Sequence, residues 1–568
     1  MASLIKKIKK GRAYYYAVQC QRLDGKPRIT WQKYLGTLDA MVERADSATP
    51  PKPKEVVIFQ AGGVAALARI AQRLEVTEII DAVVPKREQG PSVGEYILLA
   101  ALNRAIEPCS KLAMGAWYEK TVLRRLWGYE ADAFSSQRFW DHMDRIQGDH
   151  IEQIQERLLA AVDKEFGLGA GLLLYDTTNF YTYIATVNDR CTVARRGCNK
   201  QKRHNLRQFG LALLLTRDFQ IPVLHHVYDG NIPDVKLFPD MTRDLLARYR
   251  KAVARPDDVT LVFDKGNISA QAMEALIGMP QHFVAAVPAS SRPDLLATPL
   301  TQFQPLPGLP GTKALESSDD FWGKTCRAVV AYTESFFSQQ LHGVTQSLVK
   351  CQKKLHDLAQ SLEYWKRGKT RRGKCPTVAS VRKSVESILS GQFMKELFRT
   401  SVSEEAKTRL PQLSYQLDHA AFDTLCQQRL GRTLIVSSHA DWSAQQMVET
   451  YRSLSGIEDA FRNMKDVDYL RWQPAYHWKN DKLRVHGLYC VLALLLSCLA
   501  RKVAVQAGVD LPLLALLDEL TAIQEVAVVY PPQTLAHRKD HITLSRMSPR
   551  QKKLAEALQI ADMLSTKG

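Results

Sequence analysis

Hydrophobic residues recur with two different periods along this chain, and the change between them sets its organisation. Near the start, 13–23 and 28–38 alternate like half-buried strands around Asp24-Gly25-Lys26-Pro27, and Asp-Gly between alternating runs predicts a β-hairpin. Ahead of it, 1–12 carries Lys6, Lys7, Lys9, Lys10 and Arg12 without an acid and reads as a basic arm. Residues 44–55 have the composition of a linker. Steps of three and four then predict helices at 64–74, 93–105, 119–127, 136–146 and 149–166. From 168 the period shortens. Leu172-Leu173-Leu174-Tyr175 predicts a buried strand that stops at Asp176; 209–215 and 221–227 predict a strand pair; 259–263 predicts a strand that stops at Asp264. With helices at 234–249 and 269–277 and a strand at 282–287, this order predicts an α/β mixed sheet with helices on its faces. Such sheets place their chemistry at strand ends.

Between 290 and 440 the pattern departs from this alternation. Strands are predicted at 326–335, 413–418 and 433–437, with a helical insert between them. Leu341, Val344, Leu348, Cys351, Leu355, Leu358, Leu362 and Trp365 keep an unbroken three-four spacing, and Val378, Val381, Val385 and Ile388 continue one. Lys366 to Lys374 between these seams holds six basic residues in nine, including Lys369, Arg371, Arg372 and Lys374. The reading is an antiparallel helical hairpin with a basic tip, the seam serving hairpin stability or, as a coil, a dimer. Further on, Tyr451, Leu454, Glu458, Phe461 and Lys465 fall on one face of a predicted helix over 451–465, with Arg452 projecting to the other side. The apolar run 488–500 falls short of the roughly 18–20 residues that span a bilayer and predicts a buried helix behind 451–465, not a membrane contact.

Charge narrows the function. The 568 residues carry 77 Lys and Arg against 59 Asp and Glu, a formal net charge of +18, which favours a polyanionic partner. That length exceeds one hydrophobic core and implies three or four domains. Ten unevenly spaced cysteines, with no signal peptide in view, suggest reduced thiols and a cytoplasmic setting. No P-loop spacing occurs, which argues against ATP-driven function. Cys191, Cys198 and His204 lack a visible fourth partner for zinc. Asp176 and Asp264 would each alone suit a turn or a cap. Ending two buried strands in so basic a chain, with Glu458 on a helix, they suit two divalent cations that clamp a phosphodiester. Between the strands, Arg195, Arg196, Lys200, Lys202, Arg203 and Arg207 form an acid-free run fit to hold a phosphate backbone.

Three segments carry a resemblance: Leu-Leu-Leu-Tyr-Asp176-Thr-Thr, Leu-Val-Phe-Asp264-Lys-Gly-Asn and Tyr451 through Glu458-Asp-Ala-Phe-Arg-Asn-Met-Lys465. Gly197-Cys-Asn-Lys200, Arg203-His-Asn-Leu-Arg207-Gln208, Asp229-Gly-Asn-Ile-Pro-Asp234 and Arg471 to Pro474 followed by His486 add to it. In this order they resemble bacterial DDE transposases of the insertion sequence family 4 group, most closely its insertion sequence family 1634 branch. The resemblance implies an RNase H-like core interrupted by an insertion domain between Asp264 and Glu458. It also implies that Asp176, Asp264 and Glu458 are catalytic and bind two Mg ions, with Mn as a substitute. Tyr451 and Lys465 would contact DNA at the element ends. The family's arginine falls at Leu454 here, and Arg462, one turn beyond Glu458, is the substitute. Double-stranded DNA, both terminal repeats and target, is the implied partner, with a homodimer in the synapse, in the bacterial cytoplasm at the nucleoid.

The expected organisation is therefore a DNA-binding arm and hairpin over 1–45, a helical DNA-binding or dimerisation domain over 56–167, and a catalytic core over 168–290 and 441–505. The insertion domain occupies 291–440, and a helical, basic region follows over 506–568. The rival functions are a non-catalytic DNA-binding regulator derived from a transposase and an RNase H-like nuclease without strand transfer.

Overall fold

A computed structural model describes residues 2–23, 26–46, 53–86, 89–168, 171–185, 187–197, 203–253, 259–369, 374–406, 408–472, 475–530 and 541–565. The chain divides into two compact units, one made of Met1–Arg69, Gly115–Asp132 and Ala504–Gly568, the other of Ile70–Met114 and Ala133–Val503.

The larger unit is built on a mixed sheet which, among the described residues, has nine strands: β1 (Gly171–Thr182), β2 (Arg207–Thr216), β3 (Pro222–Asp229), β4 (Val259–Phe263), β5 (His282–Val287), β6 (Gln304–Pro305), β7 (Thr312–Phe321), β8 (Lys324–Thr333) and β9 (Arg432–Ser437). Their spatial order is β6-β7-β8-β9-β5-β4-β1-β2-β3. β1 pairs antiparallel with β2, and β2 with β3, while β4 runs parallel to both β1 and β5. Leu211, Leu213 and Leu215 of β2 and every residue of β4 are buried, which is why these segments read as continuous apolar runs rather than alternations.

Two expectations change here. β1 does not stop at Asp176: it runs on to Thr182, because β2 pairs with it from Leu173↔Thr216 through Thr182↔Arg207. Its parallel partner β4 gives out at Leu174↔Val262, so Asp176 is mid-strand on one side and beyond the ladder on the other. The strands after 290 also extend the core sheet, with Leu434 of β9 opposite Val287 of β5 and Val330 of β8 opposite Leu434.

Between β8 and β9 the chain leaves the sheet. Helix Glu334–Lys366 runs out and helix Val378–Ile388, opened by a Thr377–Ser380 capping box, comes back. The expected seam is their contact: Val344, Leu348, Cys351, Leu355 and Leu362 form one buried cluster with Val381 and Val385. The returning helix is only a third as long, and the strand expected at 413–418, here Pro411–Leu417, pairs with an unforeseen strand, Phe398–Glu404, in a two-stranded ribbon that packs on both helices.

Helix Asn480–Gln506 is long and apolar enough to cross a membrane, yet 83% of its most apolar stretch is buried inside the protein. It is the buried helix expected here, and Leu488, Val491, Leu492 and Leu495 on one side of it line a small cavity with helix Gly148–Phe166 and β3. A helix apolar on all sides is one enclosed by the fold.

In the smaller unit the basic arm is the edge strand Ala2–Lys9, laid antiparallel on Arg12–Leu23, which pairs in turn with Lys26–Gly36. The Asp24-Gly25 turn lies outside the described residues. Glu55–Gln60, Gln524–Val529 and His541–Leu544 form a second three-stranded sheet, so the region expected to be helical after 506 also supplies strands.

Candidate active site

Leu174 of β1 lies beside Val262 of β4 on parallel strands. Side chains return to the same face two residues on, so Asp176 and Asp264, each two residues past that last pair, leave the strands toward the same side, and both line one cleft. Asp264 keeps an extended backbone (φ −89°, ψ 161°) before the 3-10 turn Lys265–Asn267. The Thr177 amide donates to Asp176 Oδ1 at 2.7 Å and fixes that carboxylate.

The third wall comes from the segment expected to be one helix over 451–465. It is two, Ala444–Arg452 and Ser455–Lys465, the first opened by a Ser443–Gln446 capping box. Between them the backbone tightens into i→i−3 hydrogen bonds, Leu454 to Tyr451 (3.1 Å), Gly456 to Ser453 (2.9 Å) and Ile457 to Leu454 (3.1 Å). Such turns hold three residues rather than 3.6, which advances the facing of each residue by about 20°. Tyr451, Leu454, Glu458 and Lys465 still share the cleft, and Arg452 joins them instead of projecting away. Its guanidinium donates to Thr312 Oγ1 and Thr333 Oγ1, both at 2.8 Å.

The resulting cleft has a volume of about 830 Å³ and is lined by Asp176, Asp264 and Glu458 together with Tyr451 and Lys465. Tyr451 Oη donates to Asp264 Oδ1 at 2.9 Å. Its phenol is pushed well above the usual tyrosine range, first by burial, then by the charge of Asp264 and the bond to it, then by the charges of Glu458 and Asp176. All three carboxylates therefore act on one hydroxyl. Lys465 Nζ donates to Thr178 Oγ1 at 2.6 Å and lies 5.4 Å from the ring centre of Phe180.

Sequence reasoning gave no role to a fourth acid in the cleft, Asp234, which accepts from Tyr228 Oη at 2.8 Å. Gly210 on β2 makes room for that tyrosine, since a Cβ there would stand 2.1 Å from the ring. The signal was the Asp229 to Asp234 motif itself. The same motifs interlock below: Gln208 Nε2 donates to the Gly230 carbonyl at 2.8 Å, and a Cβ on Gly230 would meet the Gln208 carbonyl at 1.8 Å.

The other basic residues separate. Arg462 ion-pairs with Asp459 at 2.8 Å on the exposed side of its helix, away from the cleft lining. Arg207 donates to the Asn188 carbonyl at 2.8 Å, a structural bond. Arg203 is exposed and lies 5.6 Å from the ring centre of Tyr181, which lines the cleft. Lys369 and Lys374 are exposed on the helical excursion. Lys200, Arg371 and Arg372 lie outside the described residues.

Among the described residues, no three His, Cys, Asp or Glu side chains close on a single point as a preformed metal cage. The acids instead stand around an open cleft without His or Cys in its lining, a hard-oxygen donor set that suits Mg or Mn rather than zinc.

No protein-family model matches the chain, and no curated protein is similar to it. Among solved structures, the cryo-electron-microscopy structure of a piggyBac transposase synaptic complex with hairpin DNA aligns with 82% of this chain and 82% of its own, at 10% sequence identity and a TM-score of 0.35.

Proposed function

We propose that this chain is a DDE transposase of an insertion sequence, of the family 4 group and its 1634 branch, that cuts double-stranded DNA at element ends and joins the 3′-hydroxyls to target DNA. The observation that carries the reading is that Asp176, Asp264 and Glu458 line one cleft, where Tyr451 donates to Asp264. The sheet supports it: the order β3-β2-β1-β4-β5, with Asp176 on β1 and Asp264 just past the end of the parallel β4, is what an RNase H-like core would present. So does a net charge of +18.

Asp176, Asp264 and Glu458 would hold two Mg ions, or Mn in their place, with phosphate oxygens and water completing the coordination. Bound there, the ions would stabilise the attacking and leaving oxygens of an in-line displacement. The chain's own residues do the positioning. Tyr451 holds the side chain of Asp264, which lines the cleft, through its bond to Oδ1. Lys465, steadied by Thr178 and Phe180, offers its charge to a phosphate. Arg452, bonded to Thr312 and Thr333, offers a second cation to the cleft. Cutting two ends and joining them to one target requires two protomers on the DNA.

The test is a strand-transfer assay with purified protein, DNA carrying its own element ends, supercoiled target and Mg, run beside Glu458→Ala and Asp264→Asn. Joined products from the wild type and none from either variant are expected. Cleavage without joining would mean a nuclease, and binding with neither reaction a regulator. Cleavage retained by Asp264→Asn would overturn the assignment of the acids.

A further inference from the structure

β4 ends at Phe263, and past Asp264 the chain enters the 3-10 turn Lys265–Asn267. The backbone amide of Asn267 donates to the Asp264 carbonyl at 3.1 Å and that of Ile268 to the Lys265 carbonyl at 3.2 Å, so the turn closes on itself. Helix Asp234–Ala252 and β5 pack against it. Asp264, Gly266 and Asn267 all line the acid cleft.

Asn267 stands apart on this wall. It is only 3% exposed, yet among the described residues no group bonds its side-chain amide. An asparagine between a strand and a helix commonly caps the helix. Here Ser269 does so, accepting from the Ala272 amide at 3.1 Å ahead of helix Ala270–Ile277. Burying an amide without a hydrogen bond is costly, so such a group at the wall of a cleft is one that a ligand satisfies.

The chemistry of the cleft selects the ligand. A side-chain amide offers two N–H donors and one carbonyl acceptor. Asp176, Asp234, Asp264 and Glu458 already line the cleft, so oxygens for cations are plentiful there. A phosphodiester entering among four acids needs donors, and asparagine is among the side chains that give them to phosphate oxygens. A carboxylate of the same shape would repel it. Gly266 keeps the wall low: nothing among the described residues lies within 4 Å of where its Cβ would stand, which leaves space for a sugar-phosphate backbone. We propose that Asn267 is a substrate-binding residue that donates a side-chain N–H to a non-bridging oxygen of the phosphate held in the acid cleft. This rests on reading the cleft as a DNA-processing site.

The experiment uses full-length protein and a fluorescent element-end duplex, with wild type, Asn267→Ala, Asn267→Asp and Gly266→Ala. It reads duplex affinity in Ca, cleavage in Mg, and Tm without DNA. Asn267→Ala is expected to bind the duplex about tenfold more weakly, as for one hydrogen bond to a charged group, and to cleave more slowly. Its Tm and its Mg concentration for half-maximal cleavage should match the wild type. Asn267→Asp, which keeps the shape and loses the donor, should bind at least as weakly as the alanine variant. Wild-type affinity in Asn267→Asp overturns the proposal, and a raised Mg requirement in Asn267→Ala overturns it by making Asn267 an ion ligand. Should an Asn267 variant melt low, Gly266→Ala carries the test: its methyl enters open space, so Tm should hold while affinity falls, and wild-type affinity there overturns the proposal. The two proposals fail separately. A protein that shows these losses of affinity but never cleaves element DNA keeps the Asn267 contact and loses the transposase reading; one that cleaves while every variant binds as the wild type does loses only the contact.

Discussion

The hydroxyl of Tyr451 donates to Oδ1 of Asp264 at 2.9 Å, tying helix Ala444–Arg452 to the end of β4 across 187 residues of chain. The bond neither binds nor attacks a substrate. It holds the Asp264 side chain in place, so if Asp264 binds Mg as proposed, removing the bond should loosen metal binding before it damages the fold.

Tyr451→Phe is therefore expected to raise the Mg concentration for half-maximal cleavage by about tenfold, within the range seen when a partner of a metal ligand is removed. Circular dichroism should be unchanged. A Mg titration that overlays the wild type would show that the hydroxyl does not position Asp264.

Lys465 and the basic tip should separate by salt dependence. Each cation on a phosphate adds close to one to the slope of log affinity against log salt. Lys465→Ala should lower the slope by about one, and joint neutralisation of Lys369, Arg371, Arg372 and Lys374 by about three to four if all four touch DNA. An unchanged slope in the quadruple variant would place the tip off the DNA.

Gly210→Ala puts a methyl where the Tyr228 ring lies, its Cβ 2.1 Å from the ring carbon that bears the hydroxyl. Overpacking of this kind costs about 1–3 kcal/mol. A lower Tm is expected, together with a larger loss of cleavage because Tyr228 must release Asp234. Tyr228→Ala alone should also melt lower, because it leaves a cavity where a buried ring stood, and adding Gly210→Ala to it should cost little more without restoring activity. A double variant clearly less stable than Tyr228→Ala alone would locate the damage in the β2 backbone instead.

Much of this was legible along the chain, for a physical reason. β2, β4 and β5 bury both faces, so apolar runs marked them, and Asp264 stood out as the first polar residue after one such run. The true length of β1 was hidden, since Asp-Thr-Thr-Asn reads as the end of a strand although β2 pairs through it. The break at Ser453 was hidden too, because its 3-10 turn keeps helical torsions and leaves the apolar spacing nearly intact. That β9 would pair with β5 is a contact between residues some 150 apart, Leu434 with Val287, and local periodicity carries no record of register. Asp234 matters through Tyr228 and Gly210, a relation that exists only once β2 and β3 are paired.

Burial makes the protein sensitive to acid. His225 is buried on β3 beside Arg248 and His226, and burial above all pushes it down to about 3. Burial likewise pushes His477 and His486 well below the usual range. Unfolded histidines titrate near 6.5, so below that pH the unfolded chain binds protons that the folded chain refuses. Stability is complete above about 6.5 and falls as pH drops toward about 3, by about 1.4 kcal/mol per pH unit for each such histidine. Denaturant melts between pH 7 and 4 should show this slope, shallower in His225→Gln. A parallel slope in that variant would mean His225 is protonated in the fold.

Tyr332 on β8 lies directly opposite Arg432 on β9, so the chain that departs at Glu334 comes home one strand spacing away. Everything between is an appendage on adjoining stems. The entropy of closing such a loop grows only with the logarithm of its length, about 0.6 kcal/mol per doubling. Lineages descended from this architecture are free to trim, enlarge or exchange the appendage while the acids keep their places in the core, so its surface can evolve at a pace of its own.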